Sequence, residues 1–336
     1  MTEQLASYSL VAVYSAMAVY TLAFLLFTLD LARRQAPTPA RERAMATVGA
    51  KGEGVSAQSA NAGEGNALEG SGKTRAGAHG SSASDRPSIS VYQRVATGLL
   101  VVGWLIHLSA TVLRGVAGER VPWANMFEFG LTATMLIVAV YLGSLLWRDL
   151  GYLGAFVSGF VLLALGIVTV NFYVDVVPLP PALQSWWLVT HVFVASLSTA
   201  FFALGAGLSV FQLVRERLDA KPGPTPRLMS SLPDAPTLES LAYRLYVIGF
   251  VLWTFTLIAG AIWAERAWGR YWGWDVKEVW TFIIWVIFAG YIHARATRGW
   301  RGSRSAWLGL TGFAAVLFNY GVVNIFFTGL HSYSGL

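Results

Sequence analysis

The chain is 336 residues long, 55% hydrophobic and only 12% charged, with a mean hydropathy of +0.54. A soluble domain carries about twice that charged fraction, so the composition excludes a water-soluble globular protein and indicates a polytopic membrane protein. The net charge of +6 then reports membrane orientation rather than a nucleic-acid footprint. The absence of cysteine excludes disulfides, thiolate metal sites and a thiol nucleophile.

In chain order, apolar runs of about the length a bilayer core requires predict an all-α bundle of about eight transmembrane helices. The first run, 8–31, is too long and too poor in basic flanking residues for a cleavable signal peptide and is read as the first span. Residues 32–92 are rich in Gly, Ala and Ser and cannot bury a core, so a disordered cytoplasmic loop is expected there. Further spans are predicted over 95–113, 126–147, 152–170 and 186–213. The segment 215–240 holds five prolines and reads as a structureless connector. Spans over 245–264, 276–296 and 306–327 complete the set.

Lys and Arg orient this arrangement. Arg33, Arg34, Arg148, Arg215, Arg217, Arg295 and Arg298 fall with other cations on one side, against Arg114, Arg120, Arg266, Arg270 and Lys277 on the other. The richer side is expected to be cytoplasmic, which puts both termini and the segment between spans six and seven outside.

That segment, 268–280, is Trp-Gly-Arg-Tyr-Trp-Gly-Trp-Asp-Val-Lys-Glu-Val-Trp. If it is helical, Trp268, Tyr271, Trp272 and Asp275 share one face and form an aromatic shelf suited to a large planar π ligand. An aromatic belt at the membrane interface is the other reading. Asp275 and Glu278 also fit a capping box opening the next span. The two internal glycines argue that part of the stretch is loop.

His191 lies one turn inside the outer end of span five, and His331 just beyond the outer end of span eight. Both are therefore expected at the depth of the aromatic segment. Two imidazoles beside such a shelf would suit an iron porphyrin; two interfacial histidines bonded to backbone or water would fit equally. His107 in span two and His293 in span seven are intramembrane, where ionisable groups are costly and usually functional. His293 lies 18 residues from Asp275, roughly 27 Å along a helix, whereas His107 is only about 10 Å from its outer end. One ligand has difficulty reaching both, so a second ligand for His293 is expected from another subunit. His79 falls in the 32–92 loop.

Trp268, Gly269, Trp272, Trp274 and Asp275 resemble the tryptophan-rich signature of haem-handling membrane proteins. With His191 upstream, Tyr-Ile-His293-Ala-Arg in the next span and a terminal Gly-Leu-His331-Ser-Tyr, residues 91–336 are similar to the CcsA family, also called ResC or, in some bacteria, CcsB. The segment from Arg120 to Phe129 resembles that family's outer loop. The resemblance implies a subunit of the System II cytochrome c synthase, a holocytochrome c haem lyase in the bacterial plasma membrane. Such a subunit moves haem b to the extracytoplasmic face and presents it for thioether attachment to apocytochrome c Cys-x-x-Cys-His thiols.

By position, the resemblance implies His191 and His331 as external iron ligands, and Trp268, Trp272, Trp274 and Asp275 as the external haem-binding segment. It implies His293 as an internal ligand, with His107 a further haem-binding candidate. Implied partners are a CcsB/ResB-type membrane protein, apocytochrome c and thiol-reducing thioredoxin-like proteins. Asp275 is a candidate for capping, for contacting haem or for protonating a vinyl carbon. Arg270 and Lys277 could pair with haem propionates or anchor the interface. A haem transporter or chaperone of the CcmC type, lacking the ligation step, is the alternative.

Overall fold

The structure is a computed structural model that describes residues 2–33, 90–177, 184–221 and 232–331. It is all-helical over those residues, and eight segments are long and apolar enough to cross a membrane. In order they are α1 (Thr2–Arg33), α2 (Val91–Ala117), α3 (Met126–Leu145), α4 (Gly154–Asn171, entered through a 3-10 turn), α5 (Trp186–Asp219), α6 (Ala235–Trp268), α7 (Val276–Arg298) and α8 (Ser303–Tyr320). A short α9 (Val322–Phe326) prolongs the last span.

Polar side chains set where the helices begin. Ser90, Asn125, Ser185, Asp234 and Asp275 are N-caps whose side chains accept backbone N–H groups of the first turn, satisfying donors that helix geometry leaves orphaned.

Lipid tails are as apolar as leucine, so helices associate here through close packing and interhelical hydrogen bonds. α5 and α6 form the most intimate pair, with α8, α3 and α7 packed around them; α1 and α2 form a second pair that reaches the rest through α4 and α3. Phe202 of α5 stacks on Phe288 of α7 at 3.8 Å and 3°. Tyr246 of α6 passes between Gly205 of α5 and Gly309 of α8, where an added Cβ would lie 2.8 Å and 2.6 Å from its ring. Hydrogen bonds tie the seams: Ser198 Oγ donates to the Gly249 carbonyl at 2.7 Å, Trp253 Nε1 to that of Thr281 at 3.0 Å, and Tyr320 OH to that of Met126 at 2.7 Å.

The expected connector over 215–240 is helical at both ends, because α5 runs to Asp219 and α6 starts at Ala235. Arg215 and Asp219 pair one turn apart at 3.0 Å. Pro236 sits in the first turn of α6, where its missing N–H costs no hydrogen bond. Residues 222–231 lie outside the described residues, as do His79 and all but the ends of the predicted 32–92 loop.

Candidate functional site

The aromatic stretch is not one helical face. α6 stops at Trp268 because Gly269 takes the left-handed conformation, φ +70°, and returns its N–H to the Glu265 carbonyl. Residues 270–274 cross over as an irregular strap, with Trp274 itself at φ +61°. α7 then opens on the capping box anticipated from Asp275 and Glu278. Glu278 Oε2 also accepts from Gly273 N at 2.8 Å and from Asp275 N at 3.1 Å, so one buried carboxylate pins the strap to the helix end.

Beneath the strap, His191 and His331 lie against the same indole, that of Trp263. His191 stacks on it with centroids 6.0 Å apart, and His331 meets it edge-on at 5.4 Å. Trp268 supplies a second edge contact to His331 at 4.8 Å. His191 Nδ1 is 2.9 Å from the Thr256 carbonyl. A carbonyl only accepts, so Nδ1 carries the proton and the neutral ring keeps its lone pair on Nε2. Gly260 leaves room for this ring, since a Cβ there would sit 2.8 Å from His191 Cε1.

His331 Nδ1 donates to Asp275 Oδ2 at 2.7 Å, and Leu330 N donates to Oδ1 at 3.0 Å. The His331 bond holds the Asp275 carboxyl below its ordinary range, against burial, which pulls it up. A carboxylate partner orients an imidazole as it does behind metal-bound histidines, so Nε2 is the ring nitrogen that His331 turns to a ligand. Asp275 therefore caps α7 and tethers His331 with the same two oxygens.

Both histidines line one cavity of about 240 Å³, which Trp123, Trp263, Tyr271, Trp272, Lys277 and Tyr320 also border. Its wall is tied to a buried charge cluster: Glu128 meets Arg114 at 3.0 Å and Arg120 at 2.5 Å, and accepts the Ala124 N–H at 2.9 Å. That holds the turn carrying Trp123, whose Nε1 donates to Thr132 Oγ1 at 3.0 Å.

The residues singled out in the sequence divide into two groups. His191, His331, Asp275, Trp268 and Trp272 come together. Trp274 stands 76% exposed on the outside of the strap, edge-on to Trp272 at 5.8 Å. His293 is exposed on α7 near the end opposite Asp275. His107 is fully buried among α1, α2 and α3 with Nδ1 3.2 Å from Tyr20 OH, and it does not border the cavity. Trp253, Thr256, Gly260 and Trp263 were not singled out from the sequence. Their spacing of three, four and three marks one face of α6 and is the sequence signal that groups them.

Fold and site define a multi-pass helical membrane protein with two imidazoles in an aromatic cavity at one end of the bundle. The chain belongs to the cytochrome c assembly family, in its CcsA branch: the family model described as Cytochrome C assembly protein matches residues 123–331. The cytochrome c biogenesis protein CcsA of Guillardia theta is 38% identical over 254 residues, covering 69% of this chain and 84% of that protein. The CcsA protein of Synechococcus elongatus is 34% identical over 299 residues, covering 74% and 89%. Among solved structures, the cytochrome c haem lyase CcmF shares the fold with a TM-score of 0.61 at 15% identity. That similarity covers 94% of this chain and 46% of the CcmF chain, so the chain spans about half the length of that lyase.

Proposed function

We propose that this protein is the haem-handling subunit of a two-component cytochrome c synthase. In this reading it moves haem to the outer membrane face and presents it to the two thiols of an apocytochrome Cys-x-x-Cys-His site. The observation that carries the reading is the pair His191 and His331, each with Nδ1 committed to a backbone or carboxylate oxygen and Nε2 left to bind iron. Among the described residues no group of three or more His, Cys, Asp or Glu could hold a bare metal ion. Two imidazoles alone suit a metal whose remaining positions are filled by its own macrocycle. Membership of the CcsA family supports cytochrome c biogenesis as the setting.

Haem, as substrate, supplies the vinyl groups that become thioethers. The protein's part is to hold the ring plane between imidazoles, to shield it with Trp263, Trp268 and Trp272, and to keep it oriented toward the thiols. Proximity and orientation of this kind supply much of the catalysis. Asp275 acts through His331, as a positioning residue. His293, exposed on α7, is assigned to a second haem position completed by a CcsB/ResB-type partner. The protein is further assigned to the plasma membrane with its cavity facing outward, and thioredoxin-like proteins are assigned the task of keeping the acceptor thiols reduced.

The test is co-expression with the partner and a Cys-x-x-Cys-His acceptor. Covalent haem on the acceptor should depend on this chain and fall in His191→Ala and His331→Ala. Acceptor haem that forms without the chain would refute the synthase assignment. Haem bound to the chain with none transferred would favour a CcmC-type carrier.

A further inference from the structure

Lys277 borders the cavity, yet none of the ion pairs among the described residues includes it. Its Nζ donates to the Asn319 carbonyl at 3.1 Å and to Asn324 Oδ1 at 2.5 Å, both neutral acceptors. An ammonium has three N–H groups, so one is left. Neither of the two nearest carboxylates in sequence lies within ion-pair distance of it. Asp275 accepts from His331, Leu330 N and Lys277's own backbone N–H. Glu278 accepts from Gly273 N and Asp275 N through Oε2, while its Oε1 is buried without a partner. Beside this cation the Asn319 amide is buried, with Oδ1 unpartnered; turned over, it would offer an N–H to an incoming anion.

A cation bordering an apolar, aromatic cavity, hydrogen-bonded only to neutral acceptors and with the Asp275 charge acting on it only from beyond contact, is stabilised further by a carboxylate that reaches it directly. We propose that Lys277 receives a carboxylate of the bound ligand and thereby sets which edge of a planar ring enters the cavity. This rests on the haem-binding reading given above. Iron protoporphyrin IX carries its two carboxylates on one edge and its vinyl groups on the other pyrroles. Anchoring a propionate at Lys277 turns the vinyl edge away from it, so the same contact that selects the ligand also orients it for thiol addition.

The purified full chain, in lipid nanodiscs, is titrated with haemin and with haemin dimethyl ester, followed by absorbance. Wild type is expected to bind haemin about tenfold or more tightly than the ester, the scale of one charge-assisted hydrogen bond. Lys277→Met should bind both alike with an unchanged low-spin spectrum, and Lys277→Arg should restore the preference. Equal binding of both ligands by wild type, or discrimination that survives in Lys277→Met, overturns the assignment while leaving haem binding intact. Failure of wild type to form a low-spin complex with either ligand overturns the haem reading and the Lys277 assignment with it.

Discussion

α7 carries a carboxylate-based polar cluster at each end, and the two are built differently. At the Arg298 end, Arg295 reaches Glu239 of α6 at 2.6 Å with both side chains nearly buried. The second Glu239 oxygen accepts Gly302 N at 3.0 Å, and the guanidinium lies over the Tyr243 ring at 4.4 Å. Both carboxylate oxygens are used there, and three elements are locked together. At the Asp275 end the same helix carries Lys277 and meets His331 beside the cavity that His191 also lines, and capacity is left over: two imidazole Nε2 atoms, one ammonium N–H and a Glu278 Oε1 that is buried without a partner. The closed cluster is a clamp between helices, whereas the open one, on the reading proposed above, is a half-built coordination and anion site. Incomplete satisfaction of buried polar groups, more than their number, separates the end proposed to bind haem from the structural one.

The contrast predicts separable losses. The largest effect belongs to the closed end: Glu239→Ala strands a buried Arg295 and should cost about 3–5 kcal/mol. It would be read as a fall in thermal stability in detergent, with the haem spectrum unchanged at low temperature. A shifted Soret band in that variant would break the division. Next comes Asp275→Asn, which removes the charge behind His331 and should weaken haem affinity by about 10–100-fold while leaving the fold largely intact. Gly260→Ala is expected to do less, displacing the His191 ring and reducing the low-spin fraction without abolishing it. Smallest of all, His107→Phe should leave the haem spectrum untouched, because His107 packs against Tyr20 away from the cavity.

Much of this arrangement was legible in the sequence, for identifiable reasons. Bilayer thickness imposes helix length, so eight apolar runs translated directly into eight spanning segments. Counting spans put His191 and His331 at one level, and both rings indeed meet Trp263. The capping box was readable too, since Asp275 and Glu278 lie three residues apart. The helical shelf gave way to the loop that the two internal glycines argued for: left-handed Gly269 ends α6 at Trp268, a stop that apolar periodicity alone cannot register. The Asp275–His331 bond was invisible because it joins residues 56 apart across two elements. Lys277 was ambiguous for a similar reason: its hydrogen-bond partners, Asn319 and Asn324, lie more than 40 residues away on the last span, and both are uncharged. Helix continues into both ends of 215–240 because a proline count says nothing of position, and Pro236 sits in a first helical turn that tolerates it.

The most direct test of the central claim is the ligation state of iron in the purified chain loaded with haem, followed by absorbance and electron paramagnetic resonance. The account predicts a low-spin bis-imidazole signature in wild type. It is lost in His191→Ala and in His331→Ala, and regained in each on adding free imidazole. A bis-imidazole signature that persists unchanged in both single variants would contradict it.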